Sequence, residues 1–194
     1  MSGSTGARNV PTRNAGERSF STIASSFSIA QGTRGNLKAY EAVSQGLANA
    51  RGITSVTLAG ATSISDLLGD IQKKITEGQN AGNTTEQQSI LNNDFNNLVA
   101  QINIFITNAT YNGRNLLSNV STSINVIANV DGTTLTIRSN SAFSFQSSNL
   151  GAQNLSSTIG AARTLSALFQ AQQTINQVLG NLGADTRALN FQES

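Results

Sequence analysis

Apolar residues recur at intervals of three and four along three stretches of this chain and alternate with polar residues along a fourth. The first stretch begins near Leu37 and predicts a helix over about residues 34–78, because this spacing places side chains on one helical face. Its apolar stripe consists of Leu37, Tyr40, Val43, Leu47, Ile53, Val56, Gly60, Ile64, Leu67, Ile71 and Ile75.

Four glycines within this predicted helix allow two interpretations. They are Gly46, Gly52, Gly60 and Gly69. Each costs about 0.8–1.0 kcal/mol relative to alanine, so one interpretation is that they mark kinks. The other is that Gly60, which lies on the apolar stripe, lets another backbone approach closely. The sequence leaves both interpretations open.

A second helix is predicted over about residues 86–110, with Thr84 or Thr85 as its N-cap. Its heptad seam, the row of apolar residues at alternating intervals of three and four, consists of Leu91, Phe95, Leu98, Ile102 and Phe105. Further apolar residues flank that row at Ile90, Val99, Ile104 and Ile106. We therefore expect this helix to be the most buried. The pair Asn112-Gly113 is expected to end it.

The period changes to two between about residues 123 and 138, which predicts a β hairpin with Asp131 and Gly132 as its turn. A third helix is predicted over about residues 158–190. Its heptad seam consists of Leu165, Leu168, Ile175, Leu179 and Leu182. Three narrow apolar stripes can be buried only on one another. The predicted fold is mainly α: an elongated, antiparallel, coiled-coil-like rod of three helices with a small β hairpin, over residues 28–192.

Residues 1–27 lack an evident period and carry Gly, Ser, Pro and scattered Arg. We expect them to form a loose arm or, in part, a leader added for expression.

Composition narrows the functions that this chain can have. Charged residues make up only 11% of it, whereas Asn, Ser, Thr and Gln account for 81 of its 194 residues. A net charge of +2 supports no binding to nucleic acid. The absence of Cys and His excludes thiol and imidazole chemistry, so we expect no enzyme, no cofactor and no metal site. Asp66 and Asp70 share a helix face, and a solvated face explains them better than a metal or acid/base pair.

No apolar run is long enough to span a membrane, and no secretory signal peptide is evident. We therefore expect a chain that does not insert into membranes.

Three segments together resemble bacterial flagellins, in particular those of alphaproteobacteria. They are ASSFSIAQGTRGNL at residues 24–37, DFNNLVAQINIFITNATYNGRNLL at residues 94–117 and LGNLGADTRALN at residues 179–190. The resemblance extends over about residues 24–191 in collinear order. It implies the core domain of a flagellin, with two amino-terminal helices, a β hairpin and a returning carboxy-terminal helix.

The resemblance implies a structural subunit of the flagellar filament, which assembles with other flagellin subunits for swimming motility. It also implies an extracellular location, secretion without a cleaved signal peptide, and an export chaperone as a further partner. The alternative is a cell-surface binding module of flagellin-like fold that recognises a polysaccharide or a receptor. Flagellins also begin and end with apolar helices that pair in the filament, which this chain is expected to lack. We therefore expect it to be monomeric.

The resemblance has one further implication, for immune recognition. Flagellins that the flagellin-sensing Toll-like receptor detects carry two arginines, spaced two apart, near the end of the first long helix. The corresponding region here is Ile71, Gln72, Lys73 and Lys74, which contains no arginine. Lysine lacks the planar fork of arginine, so we expect weak receptor activation or none.

Overall fold

The structure, a computed structural model, describes the backbone of residues 15–193 and the side chains of residues 22–144 and 147–192. These residues are mainly helical, which confirms the predicted fold class. In chain order the elements are α1 (Ala15–Gly78), α2 (Thr85–Asn108), β1 (Thr110–Tyr111), β2 (Arg114–Asn115), β3 (Ile124–Ile127), β4 (Thr134–Ile137), α3 (Ala142–Gly151) and α4 (Thr158–Glu193).

The chain divides into two compact units, Met1–Ala42 and Val43–Ser194. The described part of the first unit is helical from Ala15, and all its side chains from residue 22 to residue 38 are exposed. The predicted loose arm is therefore wrong over residues 15–27, and the predicted helix start at residue 34 is too late. No Gly or Pro lies between Glu17 and Gln31, so nothing in that stretch breaks a helix. Residues 1–14 of the predicted arm lie outside the described residues.

In the second unit, α1 buries a heptad seam against α2 and α4. The buried residues at intervals of three and four are Leu47, Ala50, Thr54, Thr57, Ala61, Ile64, Leu68, Ile71 and Ile75. Thr54 and Thr57 donate their hydroxyl protons to the carbonyls of Ala50 and Ile53 in the preceding turn. Because these hydroxyls are satisfied within the helix, threonine enters the core without an unpaired polar group.

Two glycines of α1 let the following segment approach closely. A Cβ added at Gly60 would lie 3.1 Å from the Cβ of Ala109, and one at Gly52 would lie 2.6 Å from the ring of Tyr111. The interpretation of Gly60 as a point of close approach is therefore confirmed. Gly69 differs, because a Cβ there would meet nothing within 4 Å.

The buried face of α2 is rotated relative to the predicted seam. It consists of Phe95, Val99, Ile102 and Ile106, whereas the predicted seam residues Leu91, Leu98 and Phe105 are half-buried beside it. Ile90 and Ile104 are exposed, so the expectation that α2 is the most buried helix is wrong. The predicted cap is confirmed: Thr84 Oγ1 accepts from the Gln87 backbone N at 3.2 Å, and Gln87 Oε1 accepts from the Thr84 backbone N at 2.8 Å.

Asn112-Gly113 forms the turn of a small hairpin after the end of α2. Both residues have positive φ, 52° and 74°, and they connect the antiparallel strands β1 and β2. This is the backbone of a two-residue hairpin, so the predicted role of the pair as a helix stop is wrong. α2 instead ends at Asn108, where the Asn115 side chain donates to the Ile106 carbonyl at 2.6 Å.

The predicted hairpin forms from β3 and β4, with Ile124 opposite Ile137 and Val126 opposite Leu135. Val126 and Ile137 face the core, as the alternation predicts. The connection is longer than the two residues expected, because Asn129 Oδ1 accepts from the backbone N of both Asp131 and Thr133. Gly132 is nevertheless the turn residue with positive φ, at 84°.

The sequence analysis did not predict α3, which lies in a segment interpreted as a polar connection. Its buried face of Phe143, Ser147 and Leu150 packs between α2 and α4. The large apolar residues of this serine-rich stretch, Phe143, Phe145 and Leu150, lie two and five residues apart, which shows no helical period.

The seam of α4 is also shifted from the predicted one. It consists of Ala161, Thr164, Leu168, Ala171, Ile175, Val178, Leu182, Asp185 and Leu189. Leu168, Ile175 and Leu182 are therefore confirmed as core residues. Leu165 and Leu179 are half-buried beside the core, and smaller residues take their places at its centre.

Candidate assembly surface

The hairpin β3–β4 is fixed to α4 by a buried carboxylate. Asp185 is 5% exposed. It accepts hydrogen bonds from the backbone N of Arg138 at 3.1 Å and from the Arg138 side chain at 3.2 Å and 2.8 Å. Three donors satisfy the carboxylate, so its burial is compensated and β4 is held against α4. The sequence pattern gave no signal for this pair. Acidic residues are usually exposed, so the apolar spacing did not identify Asp185 as a buried residue.

The first unit presents an exposed apolar stripe. Ile23, Phe27 and Leu37 continue the spacing of three and four along α1, and each is at least 58% exposed. Ile29 and Tyr40 extend the stripe to one side and are exposed to a similar degree. A helix that exposes so many large apolar side chains has the composition of an interaction surface. The sequence analysis missed its first part, since small serines separate the apolar residues.

The residues predicted as the receptor-motif region divide between two faces of α1. Ile71 is buried in the seam, and Gln72 and Lys73 are exposed. Gln72 accepts a hydrogen bond from Gln172 at 3.0 Å. Lys74 Nζ lies 3.0 Å from Oδ2 of Asp94 in α2 and 3.5 Å from Oε2 of Glu77.

The side-chain hydrogen bond with Asp94 is the main cause that raises the pKa of Lys74 above its ordinary value. Desolvation opposes that rise in part. Lys74 is therefore already engaged by two carboxylates of its own chain.

In the described part of the chain, no group of three or more acidic, His or Cys side chains is placed to hold a metal ion. Asp66 and Asp70 are both exposed on α1. Across the same residues, no helix is long and apolar enough to cross a membrane.

A family profile described as the bacterial flagellin N-terminal helical region matches residues 18–122. The chain belongs to the bacterial flagellin family. The match begins inside the stretch that was expected to be an arm or leader, so residues 18–27 belong to the flagellin sequence as well.

Relatives from two alphaproteobacteria agree with this assignment. Flagellin FljO of Caulobacter vibrioides is 30% identical over 76% of this chain and 54% of its own length. A flagellin of Brucella melitensis is 31% identical over 54% of this chain and 36% of its own length. The chain thus spans about half the length of the curated flagellins that it matches.

The fold of this flagellin chain matches that of Bacillus cereus flagellin. The crystal structure of that protein aligns with a TM-score of 0.67 over 75% of this chain and 85% of the other, at 19% sequence identity. At a sequence identity this low, the alignment shows a shared fold and nothing further. It agrees with the two amino-terminal helices, hairpin and returning helix implied by the resemblance.

Proposed function

We propose that this chain is a structural, non-enzymatic subunit of a bacterial flagellar filament, which assembles outside the cell with copies of itself for motility. The exposed stripe of the first unit carries this proposal, because a helix with five large apolar side chains on its surface needs a partner. Membership of the flagellin family names the class of partner, other flagellin subunits. The polar side chains around the stripe keep the free chain soluble during export, in which a chaperone is a second partner.

Substitution of the stripe tests this function in cells that make the whole flagellin. Ile23→Ser combined with Phe27→Ser removes two apolar contacts without touching the core of the second unit. We expect filaments to be lost in electron micrographs and swimming to stop. The matched control is Ser25→Ala with Ser28→Ala on the same helix, which should leave filaments intact. Normal filaments in the stripe variant would contradict the proposal.

The alternative, a surface module that binds a polysaccharide or receptor, has no specific observation in its favour. The matched relatives are all named flagellins.

We also propose that the chain alone is monomeric at micromolar concentration. A stable interface usually buries about 800 Å² on each partner, and five side chains of one helix supply less than that. Sedimentation velocity with a concentration-independent single boundary is the expected result.

A further inference from the structure

Asn112, in the turn between β1 and β2, combines a reactive dipeptide with an unusual backbone conformation. The pair Asn112-Gly113 is the only Asn-Gly dipeptide in the chain. Among the residues that the structure describes, Asn112 is also the only one other than glycine with a positive φ, 52°. Residues with a side chain rarely adopt this conformation, and positions that do so are often functional or strained.

An asparagine that precedes glycine is prone to cyclise, because glycine has no Cβ to shield its backbone nitrogen. That nitrogen attacks the asparagine Cγ and closes a succinimide ring. The bond between Cγ and Nδ2 breaks, and Nδ2 leaves as ammonia with the proton that the glycine nitrogen has lost. Water then opens the ring at one of its two carbonyl carbons and returns a proton to the nitrogen. The product is aspartate or isoaspartate, according to which carbonyl is attacked.

The hairpin leaves both reacting groups accessible. Asn112 and Gly113 are exposed, and a Cβ added at Gly113 would meet nothing within 4 Å. The strand register pairs Tyr111 with Arg114, so the two turn residues lie outside the ladder of β1 and β2. The nitrogen of Gly113 is therefore not fixed by strand pairing and is free to approach Cγ.

The leaving group is also the atom that fixes this hairpin to α1. Asn112 Nδ2 donates a hydrogen bond to Asn49 Oδ1 at 2.9 Å. One residue earlier, the Tyr111 ring lies over Gly52, where an added Cβ would be 2.6 Å from it. Departure of Nδ2 as ammonia therefore removes a hydrogen-bond donor directly beside this close approach.

The two products differ in what they do to the hairpin. Aspartate keeps the length of the backbone and tolerates positive φ. Its carboxylate only accepts hydrogen bonds, but Asn49 can turn its side-chain amide to donate one. Isoaspartate carries the main chain through Cβ and Cγ and so adds one atom to the backbone. A two-residue turn has a fixed backbone geometry, so the added atom disrupts it.

We propose that Asn112 is a self-modification site, at which the folded chain converts asparagine to isoaspartate and releases the β1–β2 hairpin from α1. The reactants are the chain itself and water, so the reaction requires no enzyme and no cofactor. The release moves the Tyr111 ring away from Gly52. This inference goes beyond the proposed function and does not depend on filament assembly.

Storage of the folded chain at neutral pH and physiological temperature tests the reaction. Tandem mass spectrometry locates each exchange of NH2 for OH, and isoaspartyl methyltransferase counts the isoaspartate formed. We expect conversion at Asn112 to be at least several-fold faster than at Asn119. Asn119 is also exposed in a turn, but the branched side chain of Val120 shields the nitrogen that follows it. Equal rates at the two asparagines would overturn the proposal.

The matched control variant is Asn112→Gly. A Gly-Gly pair also forms a two-residue turn with positive φ, but it has no side-chain amide to lose. We expect this variant to accumulate at least several-fold less isoaspartate than the unaltered chain over the same period. The same total of isoaspartate in both chains would contradict the assignment to Asn112.

The fluorescence of Tyr111 measures release of the hairpin, because the chain has no Trp and its other tyrosine is Tyr40. In a Tyr40→Phe background, we expect collisional quenching to be stronger for the purified isoaspartate form than for the unmodified chain. Asn112→Asp in that background should be quenched like the unmodified chain. Circular dichroism should show the same helix content in all three.

Two outcomes would contradict the release. One is equal quenching of the isoaspartate form and the unmodified chain, which would mean that the hairpin stays on α1. The other is equal quenching of the isoaspartate form and Asn112→Asp, which would mean that the added backbone atom has no effect of its own.

Discussion

The two parts of α1 carry apolar residues at the same spacing and differ in what covers them. From Leu47 to Ile75 the stripe is buried against α2 and α4. From Ile23 to Tyr40 the large apolar side chains are exposed. The spacing of three and four therefore determines which face of a helix is apolar, while the surrounding chain determines whether that face is buried. An apolar face that the described residues leave uncovered is available to a partner.

The first and largest expected effect comes from shortening one isoleucine in each part. Ile71 is 0% exposed in the core, so Ile71→Ala should lower the free energy of unfolding by about 2–5 kcal/mol. Ile23 is 62% exposed, and Ile23→Ala should change the free energy of unfolding by less than about 0.5 kcal/mol. Urea denaturation followed by circular dichroism measures both. Equal losses would mean that the exposed stripe contributes to the folded monomer.

The buried carboxylate of the α4 seam gives the second effect. Removal of one partner from a buried ion pair costs about 3–5 kcal/mol, and because Arg138 is half-exposed we expect about 2 kcal/mol for Asp185→Ala. Asp131→Ala, at the exposed hairpin turn, is the control and should be nearly silent. If thermal denaturation shows the same midpoint for both variants, the pair does not hold the hairpin against α4.

Two glycines of the buried part of α1 should respond to alanine differently. Gly69→Ala should stabilise the chain by about 0.4–1 kcal/mol, because the new methyl group meets nothing within 4 Å. Gly60→Ala should not give this gain, since its methyl group would lie 3.1 Å from the Cβ of Ala109. Chemical denaturation of both variants measures the difference. A gain at Gly60 equal to that at Gly69 would show that the close approach relaxes at no cost.

A smaller effect concerns pH and the contacts of Lys74 with Asp94 and Glu77. The folded pKa of Lys74 is raised, so its stabilisation is complete below the unfolded pKa and is lost as the pH rises through the folded value, above 10.5. An exposed pair of this kind contributes about 0.2–1 kcal/mol. The difference in unfolding free energy between the unaltered chain and the Lys74→Met variant should be constant from pH 7 to about pH 10 and should shrink above that range. A difference that grows with pH would contradict this assignment.

The smallest expected effect is activation of the flagellin-sensing Toll-like receptor. The region concerned is the exposed face of α1 at Gln72 and Lys73. No arginine occurs there, and the Lys74 ammonium is bound to carboxylates of its own chain. Reporter cells should show weak activation or none at nanomolar chain, with an arginine-bearing flagellin core as the positive control. A response equal to that control would show that the arginine pair is dispensable.

The seams show how far sequence patterns alone can predict this fold. Leu168, Ile175 and Leu182 were identified as core residues of α4, because large apolar residues seven apart fall on one face of any helix. Thr164, Ala171 and Asp185 were not identified, although they are buried in the same seam. A heptad seam has two rows, and small or polar residues fill the second row here. Which side of the leucines becomes the second row depends on where the neighbouring helices lie.

The two turns that contain a glycine at positive φ divide in the same way. Gly132 was correctly predicted as a turn residue, because positive φ is a local property of glycine, although the connection is longer than the two residues predicted. Asn112-Gly113 was assigned to a helix end, although its backbone is that of a two-residue hairpin. Local preference permits both structures, and in the hairpin that forms the Tyr111 ring packs against Gly52 of α1.

The sequence by itself indicated the three long helices and the β3–β4 hairpin, because these follow from local spacing and residue type, and its motifs resembled those of flagellins. Only the tertiary structure decided which apolar faces are buried and that Asp185 is buried with Arg138 as its hydrogen-bond donor. These features join residues that are distant in sequence. Their energies depend on distances and solvent exposure that arise only once the helices have packed.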